Sequence, residues 1–181
     1  MLQDIFRNII TVSVSSEKIN LAREFALAVT ETVNYSDSNQ YIKDRIVEDH
    51  FISKIGEEAA ATVLRNLEFL VAGPDYTIYM GDYKSWEADL KVNGVEVAVK
   101  TQKTSSAKKY GLSWTFQSSG KRRDPILDKP DAWVIFVECN DDDNYSCKVF
   151  PPKQMKELEL KDPQLPHLKG KKKVYYYSNQ I

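Results

Sequence analysis

Residues 85–102, SWEADLKVNGVEVAVKTQ, carry two runs of alternating residues around Asn93-Gly94. That dipeptide suits a two-residue hairpin turn, because both central positions take positive φ. The expected register pairs Val92 with Val95, Lys91 with Glu96, Asp89 with Ala98 and Glu87 with Lys100, since side chains alternate between faces along each strand. One face, made of Ala88, Leu90, Val92, Val95, Val97 and Val99, is expected to be core. The other collects Glu87, Asp89, Lys91, Glu96 and Lys100. Charges beside so apolar a strand pair are costly to cover unless they are paired, solvated or bound to a metal.

Upstream of the hairpin, residues 9–14 (IITVSV) read as a short strand. Ser15 or Ser16 then caps an amphipathic helix to about residue 33, burying Ile19, Ala22, Phe25, Ala26 and Val29. Asp37 or Ser38 can cap a second helix with apolar positions at Ile42, Ile46, Phe51, Ile55, Ala59, Val63 and Leu67, in which Gly56 either interrupts the helix or permits close packing. After Gly73-Pro74 the pattern turns to strand period, at residues 76–80, 86–92, 95–101, 112–117, 132–138 and 145–150. A short helix is expected at 152–159. The terminal KKKVYYYS reads as a last strand whose lysines protect a sheet edge.

Helices first and then mostly antiparallel strands point to an α+β or mixed α/β sheet packed by helices. With 181 residues, 42% of them hydrophobic, the chain can bury one substantial core. A single domain is expected, with a helical extension over residues 1–50 and a core over 51–181. Neither a signal peptide nor a membrane span is evident, so the expected setting is cytoplasmic and off the membrane. Cys139 and Cys147 would lie on neighbouring strands, reduced and structural. Seven glycines form no phosphate-binding fingerprint.

The net charge of −1 argues against a protein that coats nucleic acid nonspecifically, but the charge is unevenly spread. From Lys100 to Arg123 there are seven basic residues and no acidic one: Lys100, Lys103, Lys108, Lys109, Lys121, Arg122 and Arg123. Such a segment reads either as a phosphate track or as a solvated basic loop. Trp114 and Phe116 are expected in the core, and neither His50 nor His167 stands at metal or catalytic spacing from a partner.

The helix segment KIGEEAAATVL (54–64), ADL around Asp89 and VEVAVKTQ (95–102) resemble the PD-(D/E)XK superfamily of restriction-endonuclease-like nucleases. DAWVIFVEC (131–139) and KVFPPKQM (148–155) are similar to its later core strand and following hairpin. The resemblance spans roughly the C-terminal two-thirds and implies a mixed sheet flanked by helices and DNA as substrate. It also implies a Mg²⁺ or Mn²⁺ ion and hydrolysis that leaves 5′-phosphates. By the same resemblance Asp89 and Glu57 hold metal, with Glu58 the competitor for the helix position, and Lys100 orients the attacking water. Gln102 matches a polar position that contacts DNA or a metal-bound water. A homodimer is a reasonable expectation for double-strand cleavage.

Two departures from the family pattern stand out. Ala98 occupies the position two before Lys100 where a second strand carboxylate belongs, so Glu96 or Glu87 must replace it, or the protein binds nucleic acid or a protein partner without cutting. Glu96 has Lys91 as a competing partner, and Glu87 has Lys100. Between Lys100 and Trp133, where the family has a crossover helix, no strong helical period is present; an insertion there could carry Lys103, Lys108, Lys109, Lys121, Arg122 and Arg123 to a duplex backbone. A third possibility is an assembly protein whose hairpin charges are merely solvated.

Overall fold

A computed structural model describes residues 2–32, 42–79, 88–142 and 144–178. It is a mixed α/β fold with two sheets. Strands β1 (Ile10–Ser13), β2 (Val71–Ala72), β3 (Leu90–Val92), β4 (Val95–Lys103), β6 (Trp133–Cys139), β7 (Ser146–Val149) and β8 (Lys153–Gln154) form the larger sheet. Its order is β1-β7-β6-β4-β3-β2, with β8 also on β6. The smaller sheet runs β5-β10-β9, from β5 (Ser113–Gln117), β9 (Leu160–Lys161) and β10 (Lys172–Tyr176).

The hairpin adopts the expected register, with Val92 opposite Val95, Lys91 opposite Glu96 and Leu90 opposite Val97. Asn93 and Gly94 take φ values of 47° and 83°, which is the twist a two-residue turn demands. Asn93 also ties the turn down, as its Oδ1 accepts from Leu70 N at 2.9 Å. At the β3 end, Asp89 Oδ2 accepts from Val99 N at 2.7 Å, so the carboxylate takes a backbone donor of β4 just beyond the last hairpin pair.

Helix α1 (Ser16–Glu31) begins as the sequence suggested, with the Ser15 hydroxyl accepting from Lys18 N. Helix α2 (Lys43–Asn66) runs without a break across residues 50 and 51 and packs on both α1 and the large sheet. The cap expected at Asp37 or Ser38 lies outside the described residues, as do Glu87 and Met80. One core lies between these helices and the sheet, around Ile55, Leu64, Val92, Val97, Ile135 and Val149.

The opposite face of β4 and β6 is also covered, which the hairpin's polar pattern did not foretell. Trp114 and Phe116 of β5 pack with Val134, Phe136 and Phe150 in a second core, with Ala98 and Tyr175 at its margin. Trp114 Nε1 donates to Val137 O at 2.9 Å, satisfying the one polar atom it buries. Val95, expected in the core, is exposed at the hairpin tip.

The pairing of β4 with β6 is parallel, and a parallel pair requires a crossover. That connection contains the short helix α3 (Thr104–Tyr110) followed by β5. Seven residues cannot display a clear helical period, which is why α3 escapes a reading of pattern alone. Three expectations are corrected. Residues 76–79 are not a strand, because Asp75 Oδ1 takes the Thr77 N–H that a ladder would need. The short helix expected at 152–159 is reduced to the 3₁₀ turn Met155–Glu157, because Met155 N and Lys156 N donate to Ala132 O and Pro130 O across to the neighbouring segment. The last strand is not an edge, since β10 lies between β5 and β9.

Candidate active site

Gly56 sets the position of α2 on the sheet. A Cβ built there falls 1.8 Å from Thr101 Oγ1, so only glycine lets the helix backbone settle against the middle of β4. The next residue, Glu57, is thereby buried to 3% exposure near the start of the hairpin. Its Oε2 accepts from Lys54 Nζ at 2.6 Å and its Oε1 from Ser53 Oγ at 3.4 Å. Lys54 is itself buried, with Nζ 4.9 Å from the Phe25 ring centre. Glu58 is engaged elsewhere: it accepts from Tyr76 Oη at 2.9 Å and pairs with Lys18 at 3.3 Å.

Asp89, just before β3, feels Lys54 of α2 as well as Lys100 and Asp124. Lys100, on β4, forms an ion pair with Asp124 Oδ2 and sets Nζ 5.2 Å from the centre of the Phe116 ring. Asp124 is fixed in turn, for its Oδ1 accepts from Ile126 N at 3.2 Å and caps the following 3₁₀ turn. Glu57, Asp89, Lys100 and Asp124 thus form a chain of neighbouring charges passing from α2 through the hairpin to the small-sheet side.

The two carboxyl groups expected to hold metal are held in an uncomfortable state. Burial, with the Asp89 charge added, pushes Glu57 up to about 8 even though Lys54 and Ser53 pull it down. Burial likewise raises Asp89 against the opposing pull of Val99 N–H, Lys100 and Lys54. Folded Glu57 therefore keeps a proton that the unfolded chain releases near 4.5. Its contribution to stability is complete below that value and is lost as pH rises to about 8. The slope is at most about 1.4 kcal/mol per pH unit. Glu57→Gln is expected to flatten this fall, so urea unfolding at pH 5 and pH 8 should differ less in the variant than in the parent. An equal fall in both would show that Glu57 is not the group responsible.

Two clefts meet at Asp89 and Lys100, and Glu57 lines neither of them. One of about 470 Å³ is bounded by Glu96, Asp124, Arg122 and Trp133. The other, of about 450 Å³, is bounded by Asp49, Ser53, Gln102 and Lys103. Asp89, Lys100, Thr115 and Lys172 line both. Glu96 is exposed and opposite Lys91, as the sequence suggested, on the wall of the first cleft. Among the described residues, no group of three or more acidic, histidine or cysteine side chains is gathered as a metal cluster.

The basic segment is divided by the fold. Lys103 pairs with Glu48 at 3.0 Å beside the second cleft. Lys108 and Lys109 stand exposed on α3, and Lys121 is exposed in the turn after β5. Arg122 lines the first cleft, while Arg123 pairs with Asp128. Gln102 is used by the protein itself, since its Oε1 accepts from Ser113 N at 2.9 Å and its Nε2 donates to Gly111 O at 3.2 Å.

No family model, curated protein or solved structure matches the chain. Two of the site's residues, Asp124 and Lys172, were not singled out from sequence. Asp124 carried a faint signal, as the residue that ends the acid-free run and precedes Pro125. Lys172 carried none, because its neighbour in space, Gln117, is distant in sequence.

Proposed function

We propose that this chain is a divalent-metal-dependent endonuclease that hydrolyses DNA phosphodiester bonds on a restriction-endonuclease-like core. The observation that carries the reading is the raised proton affinity of two neighbouring carboxyl groups, Glu57 and Asp89. The Asp89 charge adds to burial in raising the proton affinity of Glu57, burial raises that of half-buried Asp89, and a hard cation beside them would relieve both. The donor set fits Mg²⁺ or Mn²⁺, because Mg²⁺ is commonly held by one or two carboxylates and completes its shell with water and substrate phosphate. A bound cation supplies charge stabilisation at the phosphate and a water of lowered pKa.

The protein's own residues have distinct tasks in this reading. Glu57 and Asp89 hold the cation as carboxylates, so protons compete with metal below about pH 8 and cleavage rises towards that value. Lys100, fixed by Asp124, presents an ammonium to the attacking water or to charge developing on the phosphate. Glu96 stands on the cleft wall as a further acidic candidate where Ala98 offers none. Arg122 and Lys103 flank the two clefts, where a phosphate backbone would pass. One such site cuts one strand, so a double-strand break calls for two copies.

A second reading has its own support. Lys54 already supplies a cation to Glu57, and Lys100 is already neutralised by Asp124, which suits a protein that binds nucleic acid without cutting it. Incubation with supercoiled plasmid distinguishes the two. The nuclease reading expects nicked or linear product with Mg²⁺ or Mn²⁺, abolished by EDTA and bearing 5′-phosphates. Salt-sensitive binding with no strand break under any metal would establish the second instead.

A further inference from the structure

The small sheet brings into the reactive region a cation to which none of the roles above has been given. Lys172 opens β10 opposite Gln117 of β5, and it lines both clefts together with Asp89 and Lys100. The side chain is half-buried, and burial lowers its ammonium pKa, with Asp49 opposing and Lys100 adding to the effect. Lys100 has Asp124 as its partner. Among the described residues, Lys172 has no carboxylate within ion-pair distance.

A desolvated ammonium beside a second ammonium is unfavourable unless an anion arrives. The surroundings say which kind. The two clefts, of about 470 and 450 Å³, adjoin at Asp89, Lys100, Thr115 and Lys172, so the joined space suits a chain with repeated charges better than a single small anion. Several oxygens on one centre would also let both lysines donate at once. We propose that Lys172 and Lys100 together bind a backbone phosphate of a nucleic-acid strand lying across the junction of the two clefts. That phosphate is the one attacked, and Lys172, by holding it beside Lys100, sets the strand's register relative to Asp89; this register role rests on the nuclease reading.

The test uses the full chain and a fluorescein-labelled DNA duplex, in Ca²⁺ to suppress cleavage, over a series of salt concentrations. Lys172→Gln is expected to bind about three- to tenfold more weakly, with a salt slope shallower by about 0.9. Lys172→Arg should retain most of the affinity. Lys43→Gln, an exposed substitution at the far end of α2, controls for loss of one charge. Circular dichroism establishes that each variant is folded, and Lys172→Met serves if the glutamine variant is not.

Parent-like affinity and slope in folded Lys172→Gln would overturn the proposal, and would leave the nuclease reading intact if the parent nicks plasmid. A parent that binds but never cuts, with binding lost in Lys172→Gln, would uphold the phosphate site and sink the hydrolytic reading. A parent that neither binds nor cuts DNA would overturn both.

Discussion

Asp89→Asn is expected to lower metal-dependent cleavage by about a hundred- to a thousandfold or more, while the protein stays folded. Asparagine keeps an oxygen to accept the Val99 N–H, so the hairpin end retains its bond. It loses the charge that a cation needs. Removing that charge also relieves Glu57, whose proton affinity Asp89 raises, so the alkaline loss of stability should end at a lower pH than in the parent. Lys100→Ala is the companion experiment. It leaves Asp124 without its cation in a partly buried position, and it should remove cleavage without removing DNA binding altogether. Plasmid nicking that survives both substitutions at near the parent rate would show that the chemistry lies elsewhere.

The largest expected effect on stability comes from Gly56→Ala, at about 3 kcal/mol or more of destabilisation. The new methyl would lie 1.8 Å from Thr101 Oγ1 and 2.8 Å from both Thr101 Cβ and Cγ2. A β-branched side chain has few rotamers with which to retreat, and β4 is held by β3 on one side and β6 on the other. The helix would have to lift, opening the packing of Ala59, Ala60 and Ala61, all of which are fully buried. Thr101→Ala in the same chain should restore only part of the loss, because the Cβ contact at 2.8 Å remains. Thr101→Val alone is expected to be neutral or mildly stabilising, since Thr101 Oγ1 is buried without a hydrogen-bond partner. Urea midpoints for the parent, Gly56→Ala, Thr101→Ala and the double variant complete the cycle, and simple additivity would remove Gly56 and Thr101 as the point of contact.

How much could be read from the sequence follows the distance over which each feature is determined. The hairpin register was legible because Asn93-Gly94 fixes it within a few residues. The start of α1 was legible because Ser15 announces it locally. Placing Glu57 near Asp89 needed the resemblance to a nuclease core, and Gly56 gave it a physical means. The second core was not legible, because β5 meets β10 across more than fifty residues and neither strand carries a sign of its partner. For the same reason the lysines of KKKVYYYS were assigned to an edge, although β10 is flanked on both sides. Residues 152–159 have helical spacing, but tertiary hydrogen bonds claim Met155 N and Lys156 N. The failures share a cause: local pattern was overruled by partners that local pattern cannot name.

The strand order also sets a timetable for the newly made chain. Among the described residues Ile10–Ser13 pairs only with Ser146–Val149, so this strand waits for a partner made more than 130 residues later. At about 5–20 residues per second, that delay is several seconds or more. A nascent chain that has emerged through Val149 already contains Glu57, Asp89, Lys100 and Asp124, yet it lacks β9 and β10 and with them Lys172 and the covering of the aromatic core. Of the described strands β10 is the last to be made, so Lys172 joins Asp89 and Lys100 after the rest of that region has emerged.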